Sequence, residues 1–393
     1  MIRHGTPEFH RTNLALFAAG FATFALLYCV QPLMPVFTED FGVSAAQAGL
    51  SLSLTTGFLA PAMIVAGAIS EARGRKPLMV ASLLASSLLT LLSAFAPRWH
   101  VLLALRALAG IAFAGLPAIS MAYLAEEVHP SSIGLAMGLA IGGNGLGGML
   151  GRLATALITD LSSWRYAMAA IAVFGFMATL IFWKTLPPSR HFVPRSPHPR
   201  EMLRTFASQL RDSRLLPLYA LGFLLMGGFV TTYNYVSYHL LDPPYSLSHT
   251  AVGFVFVIYL IGIFASAFIG GRADRVGRGR MVRGMTLLML VGVALMATRP
   301  LVLVIVGICA LTFGFFGGHS VASSWIGLRA TTAKAQASAL YLFFYYMGAS
   351  VAGGFGGVVW DHGRWIGVSW FLALVLGAAL VVTGTLGGRA RSS

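Results

Sequence analysis

Gly67-Ala68-Ile69-Ser70-Glu71-Ala72-Arg73-Gly74-Arg75-Lys76 closes one long apolar run and opens the next. Gly270-Gly271-Arg272-Ala273-Asp274-Arg275-Val276-Gly277-Arg278-Gly279-Arg280 does the same 203 residues later. Glycine, acid, glycine and arginine keep register across the copies: Gly67 with Gly270, Glu71 with Asp274, Gly74 with Gly277, Arg75 with Arg278. A polar punctuation mark repeated at equivalent places among apolar runs implies a chain built from two like halves.

The runs around these loops are too apolar for a soluble domain. Apolar residues make up 57% of the 393 positions and charged residues 10%, with a mean hydropathy of +0.79. A soluble domain carries about 25% charged residues. A bilayer core of about 30 Å needs roughly 20 apolar residues per helix. Stretches bounded by charge or turn residues give twelve such runs: 13–37, 44–70, 77–96, 99–124, 131–159, 164–186, 215–240, 249–271, 281–298, 300–327, 335–360 and 365–387. We number them spans 1 to 12. The expected fold is an all-α integral membrane protein of two six-helix bundles. Residues 1–186 form the first bundle, 187–214 a connector rich in proline and arginine, and 215–393 the second bundle. The first run exceeds the apolar core of a signal peptide and leads directly into further spans.

Orientation follows from the basic residues. With the N-terminus inside, the cytoplasmic segments hold 21 of the 27 lysines and arginines, among them Arg389 and Arg391. The external loops hold only Arg98, Arg165, Arg299 and Arg364. Basic loops are retained on the cytoplasmic side during insertion, so both termini are expected there. This topology and an anionic inner leaflet account for the net charge of +15. No soluble basic face is left for nucleic acid.

The paired loops resemble the signature loop of the major facilitator superfamily, which lies between helices 2 and 3 and again between 8 and 9. That resemblance implies two parallel six-helix repeats with a substrate path between them. Ala72 leaves the first loop without its usual basic neighbour, whereas Asp274-Arg275 keeps the pair. Arg106-Ala107-Leu108-Ala109-Gly110 resembles the family's Arg-x-x-Gln-Gly motif on helix 4, with Ala109 for glutamine. In related transporters that arginine is associated with proton coupling. The alternative is a buried arginine satisfied by backbone carbonyls of span 1. Gly143-Asn144-Gly145-Leu146-Gly147-Gly148 is similar to the antiporter motif Gly-Pro-x-x-Gly-Gly, with Asn144 in place of proline. This match tilts the reading toward export.

Charge at membrane depth is costly and usually faces a partner or a water-filled cavity. Only Arg106 and Arg152 qualify, and both are expected to face the central path. Asn144, Gly148 and Arg152 stand at i, i+4 and i+8, on one face of span 5. The alternative for Arg152 is a bond to a neighbouring acid such as Asp160. Glycines four apart, at 134/138/142 and 143/147/151, make flat stripes that let another helix approach closely. Polar and aromatic residues at helical spacing could complete a site. These are Phe24, Tyr28 and Gln31 on span 1, and Thr231, Asn234, Tyr235 and Tyr238 on span 7. His319 on span 10 and Tyr341 with Tyr345 on span 11 join them. Each also suits packing or an interfacial belt.

All twelve acidic residues fall in loops or at span ends. A site with two arginines and no mid-membrane carboxylate suits neutral or anionic cargo, and it leaves the proton carrier unnamed. Glu126, Glu127, Asp160 and His319 are the titratable candidates. His319 is the preferred one, since imidazole titrates near neutral pH. Cys29 and Cys309 lie inside spans and read as small apolar filler. There is no catalytic constellation, cofactor motif or metal-ligand spacing. The expected function is proton-coupled export of a small organic compound by a monomer in a bacterial-type inner membrane, resembling the drug and sugar efflux group. The partners are cargo, protons and lipid. Uptake of an organic anion by proton symport is the alternative within transport, and a membrane receptor or scaffold the alternative outside it.

Overall fold

The computed structural model describes residues 1–192, 194 and 199–387. Arg389, Arg391 and, within the connector, Arg195 and Pro197 lie outside the described residues.

The described chain is helical throughout, apart from a single backbone bridge between Ile2 and Val128. Helices are the expected solution in lipid, where every backbone polar group must be satisfied inside its own segment. Span 1 is Pro7–Tyr28 and, after a turn, Met34–Phe41; span 2 is Ala45–Arg73; span 3 is Arg75–Ala94. Span 4 is Trp99–Phe113 and Pro117–Glu127, span 5 Pro130–Leu161 and span 6 Trp164–Thr185. The connector carries one helix, Pro199–Arg211. Span 7 is Leu216–Leu241; span 8 is His249–Val255 and Tyr259–Gly270, joined by a tight turn at Phe256–Ile258. Span 9 is Arg278–Met296 and span 10 Leu301–Arg329. Spans 11 and 12 run as Lys334–Gly387 and double back at Arg364, whose φ of 48° interrupts the helix. Ten of the described helices are long and apolar enough to cross a membrane, and one of them, 53 residues long, holds spans 11 and 12.

Local sequence sets the helix ends. Ser44 caps span 2 by accepting from Gln47 N, and the Gln47 side chain returns the bond to Ser44 N. Ser248 caps span 8 in the same way by accepting from Ala251 N. Gly74 and Gly277 separate spans 2 from 3 and 8 from 9 with φ of 99° and 96°, a region in which a side chain is strained. The register read from the repeated loop is therefore a repeated backbone conformation.

The glycines of span 5 at 143, 147 and 151 lie directly against span 1. A Cβ at Gly143 would stand 2.6 Å from the Phe17 carbonyl oxygen, and one at Gly147 would collide with that of Phe21. Gly348 of span 11 meets the Phe223 carbonyl of span 7 equally closely. The stripe at 134, 138 and 142 has no such neighbour, with nothing within 4 Å of any Cβ position.

With twelve spans, the start of span 1 at Pro7 and the end of span 12 at Gly387 lie on one side, here called the terminal side. The halves meet through span 2 against span 11, span 5 against span 8, and span 1 against span 7. The hydrogen bonds that join them, among the described residues, begin at Ser350 Oγ to Ser53 O (2.7 Å) and continue toward the far side. Among the described residues no hydrogen bond joins the halves nearer the terminal side than Ser350 to Ser53, so the bonding between them is concentrated on the far side.

Candidate functional site

The centre of the site is Arg152, 2% exposed on span 5. Its Nε donates to Gln31 Oε1 of span 1 at 2.5 Å, and its Nη1 to the Gly148 carbonyl at 2.6 Å. Three rings surround the guanidinium: Tyr28 at 4.2 Å, Tyr259 at 4.7 Å and Phe256 at 5.3 Å from ring centroid to Cζ. Gln31 passes the contact on, its Nε2 donating to Asn234 Oδ1 of span 7 at 2.6 Å. The turn at 29–33 that breaks span 1 holds Gln31, and the break at Phe256–Ile258 stands beside Tyr259 of span 8. Irregular backbone at membrane depth is tolerated where it lines a cavity or is buried in protein.

Arg152 is not bonded to Asp160, and among the described residues no carboxylate pairs with it. The two deep arginines separate in role. Arg106, expected in the central path, is fully buried and turned into span backbones. Its Nη2 donates to Leu27 O at 2.8 Å, Nη1 to Leu26 O at 3.4 Å and Nε to Ser51 O at 3.3 Å. In this conformation its guanidinium does not face the path, because the broken end of span 1 offers carbonyls that accept it.

A second cluster lies across the passage on spans 10 and 11. His319 Nδ1 and the Tyr341 hydroxyl are 2.9 Å apart, and the His319 ring lies 4.7 Å from that of Tyr345. Phe315 stacks on His319 at 5.8 Å. Tyr345 also meets Tyr346, their ring centroids 5.2 Å apart. The sequence reading missed Phe256, Tyr259 and Tyr346. The signal that could have found the two tyrosines is a lone tyrosine within the apolar span 8, and a second beside Tyr345.

Two other tyrosines close the far side instead. Tyr238 and Thr38 share a hydroxyl bond of 2.8 Å across the halves, and Tyr235 donates to Gly353 O at 2.8 Å. Asn144 packs against Gly20 of span 1, one turn and more below Gly148, and not beside the guanidinium.

The far side is also held by two carboxylates placed alike. Asp361, at the end of span 11, accepts from Ala45 N and Ala46 N at 3.1 and 3.2 Å, in the first turn of span 2. Asp160, at the end of span 5, accepts from Thr250 N at 2.6 Å, in the first turn of span 8. Each joins one half to the other. Each occupies orphan N–H donors at the positive end of a helix dipole. Ser44 and Ser248 already cap these helices from within, so the two acids take the donors the serines leave.

On the terminal side the signature loops differ. Arg75 bonds out of its loop to Glu126, with Nη2 to Oε1 at 2.6 Å and Nε to Oε2 at 3.2 Å, and to Ser70 Oγ at 2.6 Å. Arg278 stays within its loop, 2.7 Å from Asp274 Oδ1, and reaches Ser324 Oγ at 2.8 Å. Glu71 and Arg275 make no side-chain bond among the described residues; Gly67 lies within span 2, before its end at Arg73, while Gly270 ends span 8. Glu127 is buried against His191 of the connector, 2.9 Å from its Nδ1.

Comparison with known proteins agrees with this architecture. The sequence profile of the Major Facilitator Superfamily matches residues 16–242. The chain belongs to the major facilitator superfamily. It is 48% identical over 385 residues to the MFS-type transporter YybF of Bacillus subtilis, covering 98% of this chain and 95% of that one. It is also 48% identical over 381 residues to the inner membrane transport protein YnfM of Escherichia coli, covering 97% and 91%. Among solved structures, a bacterial homologue of the human lysosomal transporter Spinster, inward-facing and unoccupied, superposes with a TM-score of 0.75 at 15% identity, over 97% of this chain and 96% of that one. The human organic anion transporter MFSD10 gives 0.74 at 19%, over 97% and 100%. At those identities the two structures speak to fold alone. As a superfamily member the chain is a multi-pass membrane protein, and its named relatives are transporters.

Proposed function

We propose that this protein exports a small organic compound across a bacterial inner membrane by proton-coupled alternating access, acting as a monomer with both termini in the cytoplasm. The observation that carries the reading is a buried arginine with no carboxylate partner among the described residues, beside the hydrogen bonds that join the halves on the far side. Charge left at that depth suits a group that meets cargo or protons. The basic loops orient the terminal side toward the cytoplasm, and the conformation is then inward-facing. Closing the terminal side against the exposed stripe at 134, 138 and 142, while the far-side contacts separate, is the complementary movement. Rocking of one six-helix half against the other about a fixed site supplies alternating access.

No carboxylate is available at mid-depth among the described spans, so His319 is the group assigned to the proton-sensitive step. It faces Tyr341 and Tyr345, and its protonation would alter the contacts between spans 10 and 11. The test is transport rate against pH in proteoliposomes for wild type and His319→Gln. The variant should change the pH profile; identical profiles would remove His319 from the mechanism.

Proton symport of an organic anion is the second reading, favoured by the uncompensated charge of Arg152. Vesicles loaded with cargo distinguish the two. Efflux by antiport draws protons in and acidifies the lumen, whereas efflux by symport makes it alkaline. A receptor or scaffold would change neither.

A further inference from the structure

We infer that the cargo is an organic anion, a carboxylate on a planar aromatic body, with its acid group held at Arg152. This rests on the reading of Arg152 as part of the transport site and names the class of molecule that site takes.

The argument begins with hydrogen-bond polarity. Arginine only donates, so Gln31 must turn its oxygen to Arg152 Nε and its amide nitrogen to Asn234. Asn234 must then answer with its oxygen. Its Nδ2 is left pointing away, buried and without a partner. A chain of three side chains whose direction is fixed at one end thus finishes on an orphan donor. The Ser53 hydroxyl, also buried and unpartnered, lies across Gly353 from it. Arg152 Nη2, for its part, makes no hydrogen bond to the protein, although Nε and Nη1 both do.

Of these groups Arg152 Nη2 and Asn234 Nδ2 can only donate, the Ser53 hydroxyl can donate or accept, and the site's one formal charge is positive. An acceptor-only group balances both; an ammonium would add donors and a second positive charge. A buried polar group without a partner costs about 1–3 kcal/mol, so an excess of one polarity selects against cargo of the same polarity. The rings of Tyr28 on span 1 and Tyr259 on span 8, one from each half, lie against the guanidinium, and each carries a hydroxyl that can donate to an acceptor group. The faces of their rings already sit on Arg152. On spans 10 and 11 Phe315 stacks on His319 and the Tyr345 ring lies tilted beside it at 42°, which makes an aromatic wall. A planar ring fits against such a wall, and a carboxylate on it is within the same passage as the guanidinium fork, whose geometry favours two-point contact.

The test is binding, which is independent of transport. Full-length protein in detergent is challenged with 1-naphthoate, 1-naphthylmethylammonium and 1-naphthalenemethanol, three probes with one body and different charge. Ligand-dependent thermal stabilisation gives the ranking. Naphthoate should bind about ten- to a hundredfold more tightly than the alcohol, the scale of one or two charge-assisted hydrogen bonds, and the ammonium should not bind measurably. Arg152→Gln should abolish the preference, Arg152→Lys should keep part of it, and Tyr28→Phe should weaken naphthoate severalfold. If Arg152→Gln does not fold, the lysine and phenylalanine variants carry the test. Equal binding of the three probes, no binding of any, or an unchanged preference in all variants would overturn the inference. Those outcomes would leave transport itself standing. Naphthoate that binds as expected in a protein that moves nothing in proteoliposomes would overturn the transport reading and spare this one.

Discussion

Removing the two far-side carboxylates should move the resting conformation of this transporter toward far-side opening. Asp361 holds Ala45 N and Ala46 N, and Asp160 holds Thr250 N, in each case across the line between the halves. These bonds exist only while the far side is closed, so their free energy enters the conformational equilibrium directly. Both acids are solvent-exposed, which limits each to the scale of a helix cap plus a dipole contact, about 1 kcal/mol. Asparagine keeps one accepting oxygen and loses the charge. Each substitution should therefore raise the far-open to far-closed ratio about fivefold, at the 1.4 kcal/mol per tenfold conversion. The two contacts share no partner, so Asp160→Asn with Asp361→Asn should give about 25-fold. Spin labels at Ser162→Cys and Ile366→Cys, one exposed far-side position in each half, report the distance when Cys29 and Cys309 are replaced by alanine. A longer distance should gain population in each single variant and dominate further in the double. An unchanged distribution in the double variant would refute the role of these acids as latches. A double variant no different from one of the singles would refute their independence.

Arg106→Ala should destabilise the folded protein by about 2–5 kcal/mol, because three carbonyls lose their donor and a large buried side chain is removed. A variant that unfolds at the wild-type temperature, yet does not transport, would instead make Arg106 a coupling residue. Gly147→Ala should cost at least about 1–3 kcal/mol, since its methyl meets the Phe21 carbonyl, whereas Gly142→Ala has open space and should be neutral or stabilising by up to about 1 kcal/mol; thermal unfolding in detergent compares them, and equal losses would refute the assignment of the two stripes. Asp274→Asn should change stability by less than about 0.5 kcal/mol, its exposed pair with Arg278 being weak, while reducing turnover more than Glu71→Gln does. Wild-type turnover for Asp274→Asn at matched expression would show that the second loop does not gate.

The parts of this structure that the sequence could reveal are those written in local chemistry. The two loops read in register became two glycines at nearly the same positive φ, because only glycine takes that conformation without strain. The sequence places span 9 at 281–298, and its helix begins at Arg278, directly after the glycine that ends the loop. Of the two glycine stripes, spacing predicted that each could accept a helix, but not that span 1 would take 143/147/151 and leave 134/138/142 open. That choice depends on which conformation the halves adopt, and periodicity within one helix carries no information about it.

The deep arginines make the same point about function. Both stand in apolar spans, and by composition they are equivalent. The structure separates them through the break in span 1. Unwinding after Tyr28 frees carbonyls at Leu26 and Leu27, which absorb Arg106 from the span 4 side. The same turn swings Gln31 toward span 5, where it meets Arg152 with a side-chain oxygen. One arginine is thereby satisfied by fixed backbone, and the other by a side-chain chain that runs into the opposite half and ends on an unpartnered amide. A contact built from rigid carbonyls within one half has no reason to change when the halves move. A contact that crosses between halves must break or re-form in every cycle, so Arg152, and not Arg106, is the charge whose environment alternates with the conformation. A residue whose surroundings alternate is the one at which cargo can couple to movement, since a ligand shifts a conformational equilibrium only by its differential contacts in the two states.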